Sequence, residues 1–77
     1  ESEENEIEEE KNINTTLLLE PDNEEAMYML IDIKLEKSDI KKVEELKKNF
    51  KIICSSLCFK INFIDERLSN INVKNES

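Results

Sequence analysis

Length and composition limit this chain to one small domain, because 77 residues can bury only a small share of their surface. The absence of glycine, the single proline and the 39% of charged residues favour helices over a barrel or a sandwich. No apolar run approaches the roughly 20 residues of a membrane span, and the acidic start is unlike a signal peptide. We therefore expect an intracellular protein, cytoplasmic or nuclear, with no membrane partner.

Most of the net charge of −8 lies in residues 1–11, where glutamate occupies seven of the first ten positions. Like charges within a dense run repel each other, and such segments rarely fold. We therefore predict a disordered acidic tail over residues 1–11. This tail would either attract a basic partner or act as a solubilising linker. Because it would repel phosphate groups, we predict no nucleic-acid partner.

Residues 12–72 form the predicted helical domain, and the polar residues 73–77 are predicted to fray. The segment 12–20 would be the end of a helix that stops before Pro21, with Ile13 and Leu17 one turn apart on its buried side. Its three adjacent leucines leave a short strand or an interface as alternatives.

Residues 21–36 predict the first arm of a helical hairpin. Pro21 interrupts the chain, Asn23 is a suitable N-cap, and Glu24 and Glu25 place negative charge where the helix dipole favours it. Apolar residues surround most of this arm: Ala26, Met27, Met29, Leu30, Ile31, Ile33 and Leu35. Such a helix suits a position between neighbouring helices.

The second arm begins near Asp39, where Ser38 or Asp39 can cap it. Its apolar residues are spaced by three or four and share one face: Ile40, Val43, Leu46, Phe50 and Ile53. Lysine and glutamate fill the opposite face. The two arms together predict a hairpin that turns at Lys37-Ser38-Asp39.

Residues 20–46, EPDNEEAMYMLIDIKLEKSDIKKVEEL, resemble a tetratricopeptide repeat (TPR), a helix–turn–helix unit of about 34 residues. Pro21 and Asn23 match the family's Pro-x-Asn link, and Met27 lies where the family favours Trp. Ser38 replaces the glycine of the family's turn, and Ile31 replaces a small residue. The resemblance covers about one repeat around residues 21–54. It implies an all-α fold, an antiparallel helical hairpin with a C-terminal capping helix.

TPR arrays present their first helices as a groove that receives a peptide or a partner's helix. The resemblance therefore implies a protein–protein interaction module, a scaffold fragment of a larger assembly protein. The partner-binding residues that it implies are Tyr28, Asp32, Leu35 and Glu36. For Tyr28 and Leu35, packing against a neighbouring helix is the alternative. Because one repeat cannot bury both faces of its hairpin, self-association or neighbouring repeats are also expected.

A second hypothesis comes from alternation of apolar and polar residues in segments 31–36 and 59–63. Period two is typical of half-buried strands and would give a small α+β ligand-binding or regulatory module, built as strand–helix–strand. The absence of glycine, and of proline beyond residue 21, argues against it, because short strands usually need such residues in their turns.

A third hypothesis is a coiled-coil oligomerisation segment. Apolar residues recur every seven positions, with three others following at a spacing of four. This heptad stripe consists of Val43, Phe50, Leu57, Ile64 and Ile71 together with Cys54, Ile61 and Leu68. Either one helix continues through it, or the chain breaks near Cys54 and Ser55 or Ser56 caps a third helix. We favour the break, because paired serines are poor residues inside a helix.

Cys54 and Cys58 are four residues apart, and no histidine accompanies them. A zinc site needs four ligands, and redox pairs usually have the Cys-x-x-Cys spacing. We therefore interpret both as small apolar residues in or near the core. Without histidine, a glycine-rich phosphate loop or a nucleophile elbow, the sequence predicts no enzyme, no cofactor and no metal site. A protein partner, either a peptide or a helix, is the expected ligand.

Overall fold

A computed structural model shows four helices in chain order: α1 (Ser2–Leu19), α2 (Glu24–Glu36), α3 (Ile40–Ile53) and α4 (Lys60–Glu76). The structure describes the backbone of residues 2–76 and the side chains of residues 7–71. No strand occurs within the described backbone, so the predicted all-α class is confirmed. The strand–helix–strand hypothesis is wrong, because residues 31–36 lie in α2 and residues 60–63 lie in α4.

The predicted caps of the hairpin are present. The Asn23 side chain accepts a hydrogen bond of 2.9 Å from the Ala26 N–H and thereby starts α2. Asp39 is the N-cap of α3, where its carboxylate accepts from the Lys42 N–H at 3.4 Å. Of the two residues predicted to cap α3, Asp39 takes that position and Ser38 lies in the preceding turn.

The turn between α2 and α3 is a Schellman motif. The Ser38 N–H donates to the Leu35 carbonyl, and the Asp39 N–H donates to the Lys34 carbonyl, each at 3.0 Å. Ser38 has a φ of 58°, the left-handed conformation that favours glycine. The chain therefore reverses direction after α2 without a glycine, and α3 returns along α2.

α2 lies at the centre of the fold, since it contacts each of the other three helices. The core is apolar and draws on all four helices, with half of its members from α2: Ile13, Ala26, Met27, Leu30, Ile31, Ile33, Leu35, Val43, Leu46, Phe50, Ile64 and Leu68. The largest fully enclosed side chains are Phe50, Ile31, Ile64 and Val43. The neighbours that so apolar a helix requires are thus supplied by its own flanking segments.

α4 covers the hairpin by packing against both α2 and α3. Residues of the heptad stripe, such as Val43, Phe50 and Ile64, are enclosed in the core of the single chain. The predicted break is present, because α3 ends at Ile53. α4 nevertheless begins at Lys60 rather than at the two serines, whose backbone groups make the contacts described below.

The predicted ends of the helical domain, at residues 12 and 72, lie within helices of the structure. α1 begins at Ser2 and α4 ends at Glu76, so helix continues through the segments expected to form a disordered tail and a frayed end. Glu10, inside the acidic segment, bonds to Lys34 at 2.7 Å and to Lys37 at 3.2 Å. Those two lysines explain how part of the acidic run joins the fold. None of the helices in the described part of the chain combines the length and the apolar character needed to cross a membrane.

Candidate binding surface

The candidate surface is a groove between α1 and α2, which we call the α1–α2 groove. It consists of two adjoining pockets of about 110 and 280 Å³ that share Glu9, Ile13 and Met29. The remaining lining residues are Asn12, Thr16, Asn23, Glu25, Ala26, Tyr28, Asp32 and Ile33. Helical spacing produces the groove, because α1 presents residues 9, 12, 13 and 16 on one face, while residues 25, 26, 29, 32 and 33 of α2 face them.

The floor of the groove is apolar and its rim is acidic. Ile13, Ala26 and Ile33 are buried at the base, and Met29 rises between the pockets with 45% of its surface exposed. The charged residues that line the groove are Glu9, Glu25 and Asp32. A concave apolar surface bordered by carboxylates can take an apolar side chain and, at the same time, a cationic group beside it.

Contacts with α3 and α4 hold Tyr28 and Asp32 at one edge of the groove. The Tyr28 ring packs against the Phe50 ring, with centroids 6.1 Å apart. The Lys60 ammonium lies 5.0 Å from the centroid of the Tyr28 ring. The Asp32 carboxylate accepts a hydrogen bond from Arg67. Both side chains of this ion pair are partly exposed to solvent. Arg67 therefore neutralises only part of the negative charge of Asp32 at the rim.

The structure separates the four residues predicted to bind a partner. Tyr28 and Asp32 line the groove, and both also contact α4. Leu35 is only 3% exposed and belongs to the core, where its side chain is covered by the rest of the chain. Glu36 is exposed at the end of α2, outside the lining of the groove. Packing against a neighbouring helix therefore describes Leu35 and also the Tyr28 ring, which contacts Phe50 of α3. The partner-binding role remains a prediction.

Sequence reasoning missed Glu9, Glu25 and Met29 as lining residues of the groove, and it missed Arg67 as the partner of Asp32. Arg67 is the single arginine of the chain, and a guanidinium suits a carboxylate on a neighbouring helix. No local signal pairs it with Asp32, since 35 positions separate the two residues. Glu9 fell within the segment assigned to the disordered tail.

A second polar contact joins the start of α2 to the loop after α3. The Glu24 carboxylate accepts hydrogen bonds from the backbone N–H groups of Ser55, Ser56 and Leu57, at 2.8, 3.2 and 3.0 Å. The Ser55 hydroxyl adds a bond of 3.3 Å. The backbone N–H of Ser55 and then that of Leu57 lower the pKa of Glu24 below its ordinary value, because they favour the charged carboxylate.

The cysteines correct the sequence interpretation. Cys54 and Cys58 form a disulfide in the structure, with Cα atoms 5.2 Å apart, and are not two free apolar residues. Within a continuous helix, a spacing of four would place the two cysteines on one face. The chain instead leaves the helix at Cys54, whose backbone is extended, and the turn that follows brings Cys58 back towards it. The combination of a predicted helix break with flanking cysteines was the available signal.

Among the described side chains, no group of three or more histidine, cysteine, aspartate or glutamate residues is placed to hold a metal ion. Comparison with known proteins gave no assignment: no family model matches the chain, and no curated protein or solved structure matches it significantly. The case for a function therefore depends on the geometry and charge of this surface.

Proposed function

We propose that the chain is a protein–protein interaction module whose α1–α2 groove receives an amphipathic helix from a partner protein. The partner helix would carry a narrow apolar stripe bordered by lysine or arginine. The observation that carries this proposal is the arrangement of the groove, in which Glu9, Glu25 and Asp32 border an apolar floor. Helix-in-groove binding uses apolar anchors at helical spacing, and complementary charge sets partner choice and association rate.

The TPR resemblance supports the same function. In a TPR-like order, α2 and α3 would form one repeat, α1 would be the second helix of a preceding unit, and α4 would be the capping helix. The α1–α2 groove would then adjoin the first-helix face that such arrays use for ligands. Support comes from the Asn23 cap and from the left-handed Ser38 at the family's glycine position. Further units of about 34 residues in the flanking sequence of the parent protein would test this assignment.

The groove is tested with a helical peptide of about 15 residues that has leucines on one face and lysines beside them. Its matched control has the same leucines but glutamates in place of the lysines. We expect the basic peptide to shift the backbone NMR signals of groove residues such as Ile13, Ala26 and Met29. Its affinity should fall as salt is added, because exposed charges are screened. Equal binding of both peptides, or shifts confined to another surface, would contradict the proposal.

Two pairs of variants locate the binding site. Met29→Ser and Phe63→Ser change residues of nearly equal exposure, 45% and 46%, but only Met29 lies in the groove. We expect Met29→Ser to weaken binding about tenfold and Phe63→Ser to leave it unchanged. Glu25→Lys should also weaken binding of the basic peptide. Glu36 lies outside the groove, so Glu36→Lys should weaken binding only if Glu36 itself contacts the peptide, as the TPR resemblance implies.

An intracellular location, cytoplasmic or nuclear, remains a prediction. Cytoplasmic and nuclear proteins usually keep their thiols reduced, whereas the structure has Cys54 and Cys58 joined. The oxidation state of this pair in cells therefore bears directly on the compartment, and differential thiol labelling of extracted protein would measure it.

A further inference from the structure

The loop between α3 and α4 combines a disulfide with a bound carboxylate. The Cys54–Cys58 bond closes a ring in which three residues, Ser55, Ser56 and Leu57, lie between the two cysteines. All three of their backbone N–H groups point to the same acceptor, the Glu24 carboxylate at the start of α2. Successive N–H groups that converge on one anion form a backbone nest.

Convergence of three donors requires an ordered loop. In an open chain these residues would sample many conformations, and ordering them would oppose the contact with Glu24. The disulfide removes much of that freedom beforehand, since it ties the two ends of the loop together. The ring and the carboxylate thus support each other, although Glu24 and Leu57 are 33 positions apart.

We propose that the Cys54–Cys58 disulfide is a redox-sensitive clamp that controls how firmly the first turns of α4 are held against α2. In the oxidised state the nest binds Glu24, and α4 starts at Lys60, two residues after Cys58. In the reduced state the loop loses its closure, the nest opens and the start of α4 loosens. The inference goes beyond the proposed groove function and does not depend on it.

The reaction is thiol–disulfide exchange with a dithiol. Cys58 is exposed, so a thiolate of the dithiol attacks its sulfur. The bond between the two cysteines breaks, and Cys54 leaves as a thiolate. The second thiol of the dithiol then attacks the mixed disulfide, and Cys58 leaves. The protein gains two electrons and two protons and ends with two thiols, while the dithiol becomes a disulfide.

Loosening of the first turn of α4 would reach Tyr28 at the edge of the groove. Lys60, in the first turn of α4, lies over the Tyr28 ring, and Arg67 holds Asp32 two turns later. Further along the interface, Ile64 and Leu68 are buried in the core, and Lys47 pairs with Asp65 at 2.5 Å. These contacts would keep the body of α4 in place, so loosening should be greatest between residues 55 and 62.

Hydrogen exchange on the whole chain, oxidised and then reduced with dithiothreitol, tests the clamp. We expect the N–H groups of Ser55, Ser56 and Leu57 to exchange at least about tenfold faster after reduction, with a smaller increase over residues 60–62. Val43 and Leu46 in α3 should keep their rates. Unchanged exchange at 55–57, or an equal increase throughout the chain, would overturn the proposal. So would two free thiols in protein purified and held under oxidising conditions.

Two variants separate the ring from the carboxylate. Glu24→Gln in oxidised protein keeps the ring but replaces the charged carboxylate with a neutral amide. It should speed hydrogen exchange at residues 55–57 without any change in redox state. The double variant Cys54→Ser, Cys58→Ser should show the reduced pattern under oxidising conditions. If the double variant fails to fold, the comparison of oxidised and reduced wild-type protein still decides the matter.

Discussion

Ser38 is the residue at which local preference and fold disagree most clearly. Its φ of 58° costs a non-glycine residue roughly 1–2 kcal/mol, whereas glycine loses about 0.4–1 kcal/mol of chain entropy when it is fixed there. The steric cost of the positive φ exceeds the chain entropy that glycine would lose. We therefore expect Ser38→Gly to raise the free energy of unfolding by about 0.5–1 kcal/mol, measured by urea unfolding and circular dichroism.

Ser38→Ala is the matched control, because alanine has the same difficulty with a positive φ as serine and should bring no gain. The Schellman hydrogen bonds of Ser38 and Asp39 use only the backbone and remain available in both variants. A Ser38→Gly protein no more stable than wild type would show that the turn adopts another conformation in solution.

At Glu24 the prediction concerns pH. The lowered pKa means that its stabilising contribution is complete above the ordinary value of 4.5 and is lost as the pH falls through the lowered value. Glu24→Gln should therefore lower the urea midpoint at neutral pH. It should also show a smaller further loss below pH 4.5 than wild type, in urea titrations by circular dichroism.

Glu25→Gln controls for the helix dipole, since Glu25 lies in the same first turn of α2 but is exposed. Glu10 should account for part of the acid sensitivity that remains in the Glu24 variant, because its pKa is lowered mainly by the hydrogen bond from Lys34. Parallel pH profiles for wild type and Glu24→Gln would contradict the nest contact.

At the level of elements, α4 gains its position from core contacts. Ile64 is fully enclosed, and Ile64→Val should lower stability by about 0.5–1.5 kcal/mol, a measurable part of the roughly 3–5 kcal/mol expected for a core of this size. Ile52→Val makes the same change at an exposed position of α3 and should stay within about 0.5 kcal/mol.

The same experiment separates the capping helix from the coiled-coil hypothesis. If the heptad stripe is satisfied within one chain, the melting temperature of wild type and of Ile64→Val should not depend on protein concentration. A melting temperature that rises with concentration would instead indicate that α4 is stabilised by another copy.

Elements with strong local signals were predictable, and contacts between distant segments were not. Apolar spacing and the caps at Asn23 and Asp39 predict α2 and α3, because those signals lie within one or two turns. The TPR resemblance implies that Tyr28 and Asp32 lie on the partner-binding face of the first arm. That face also meets α4 through Arg67, a contact that depends on how four helices pack and leaves no local trace. The Glu24 nest was hidden for the same reason.

At the scale of the whole molecule, charge and core occupy different parts of the chain. Composition predicted helices and an acidic start, but it placed the boundary of the folded domain between residues 11 and 12. In the structure Glu10 is nevertheless bound to the hairpin, because Lys34 and Lys37 both form ion pairs with its carboxylate. A run of like charges can join a fold where opposite charges on a neighbouring helix face it.

The boundary leads to a prediction for two shortened chains, both acetylated so that no new positive charge lies at the start of α1. A chain that begins at Glu10 keeps the contacts of Glu10 with Lys34 and Lys37 and serves as the reference. A chain that begins at Asn12 loses the Glu10 contacts and should be less stable than this reference by about 1 kcal/mol in urea unfolding. Glu10→Gln in the full chain should reproduce most of that difference. If both shortened chains match wild type, the ion pairs of Glu10 contribute nothing in solution and the predicted boundary at residue 11 is correct.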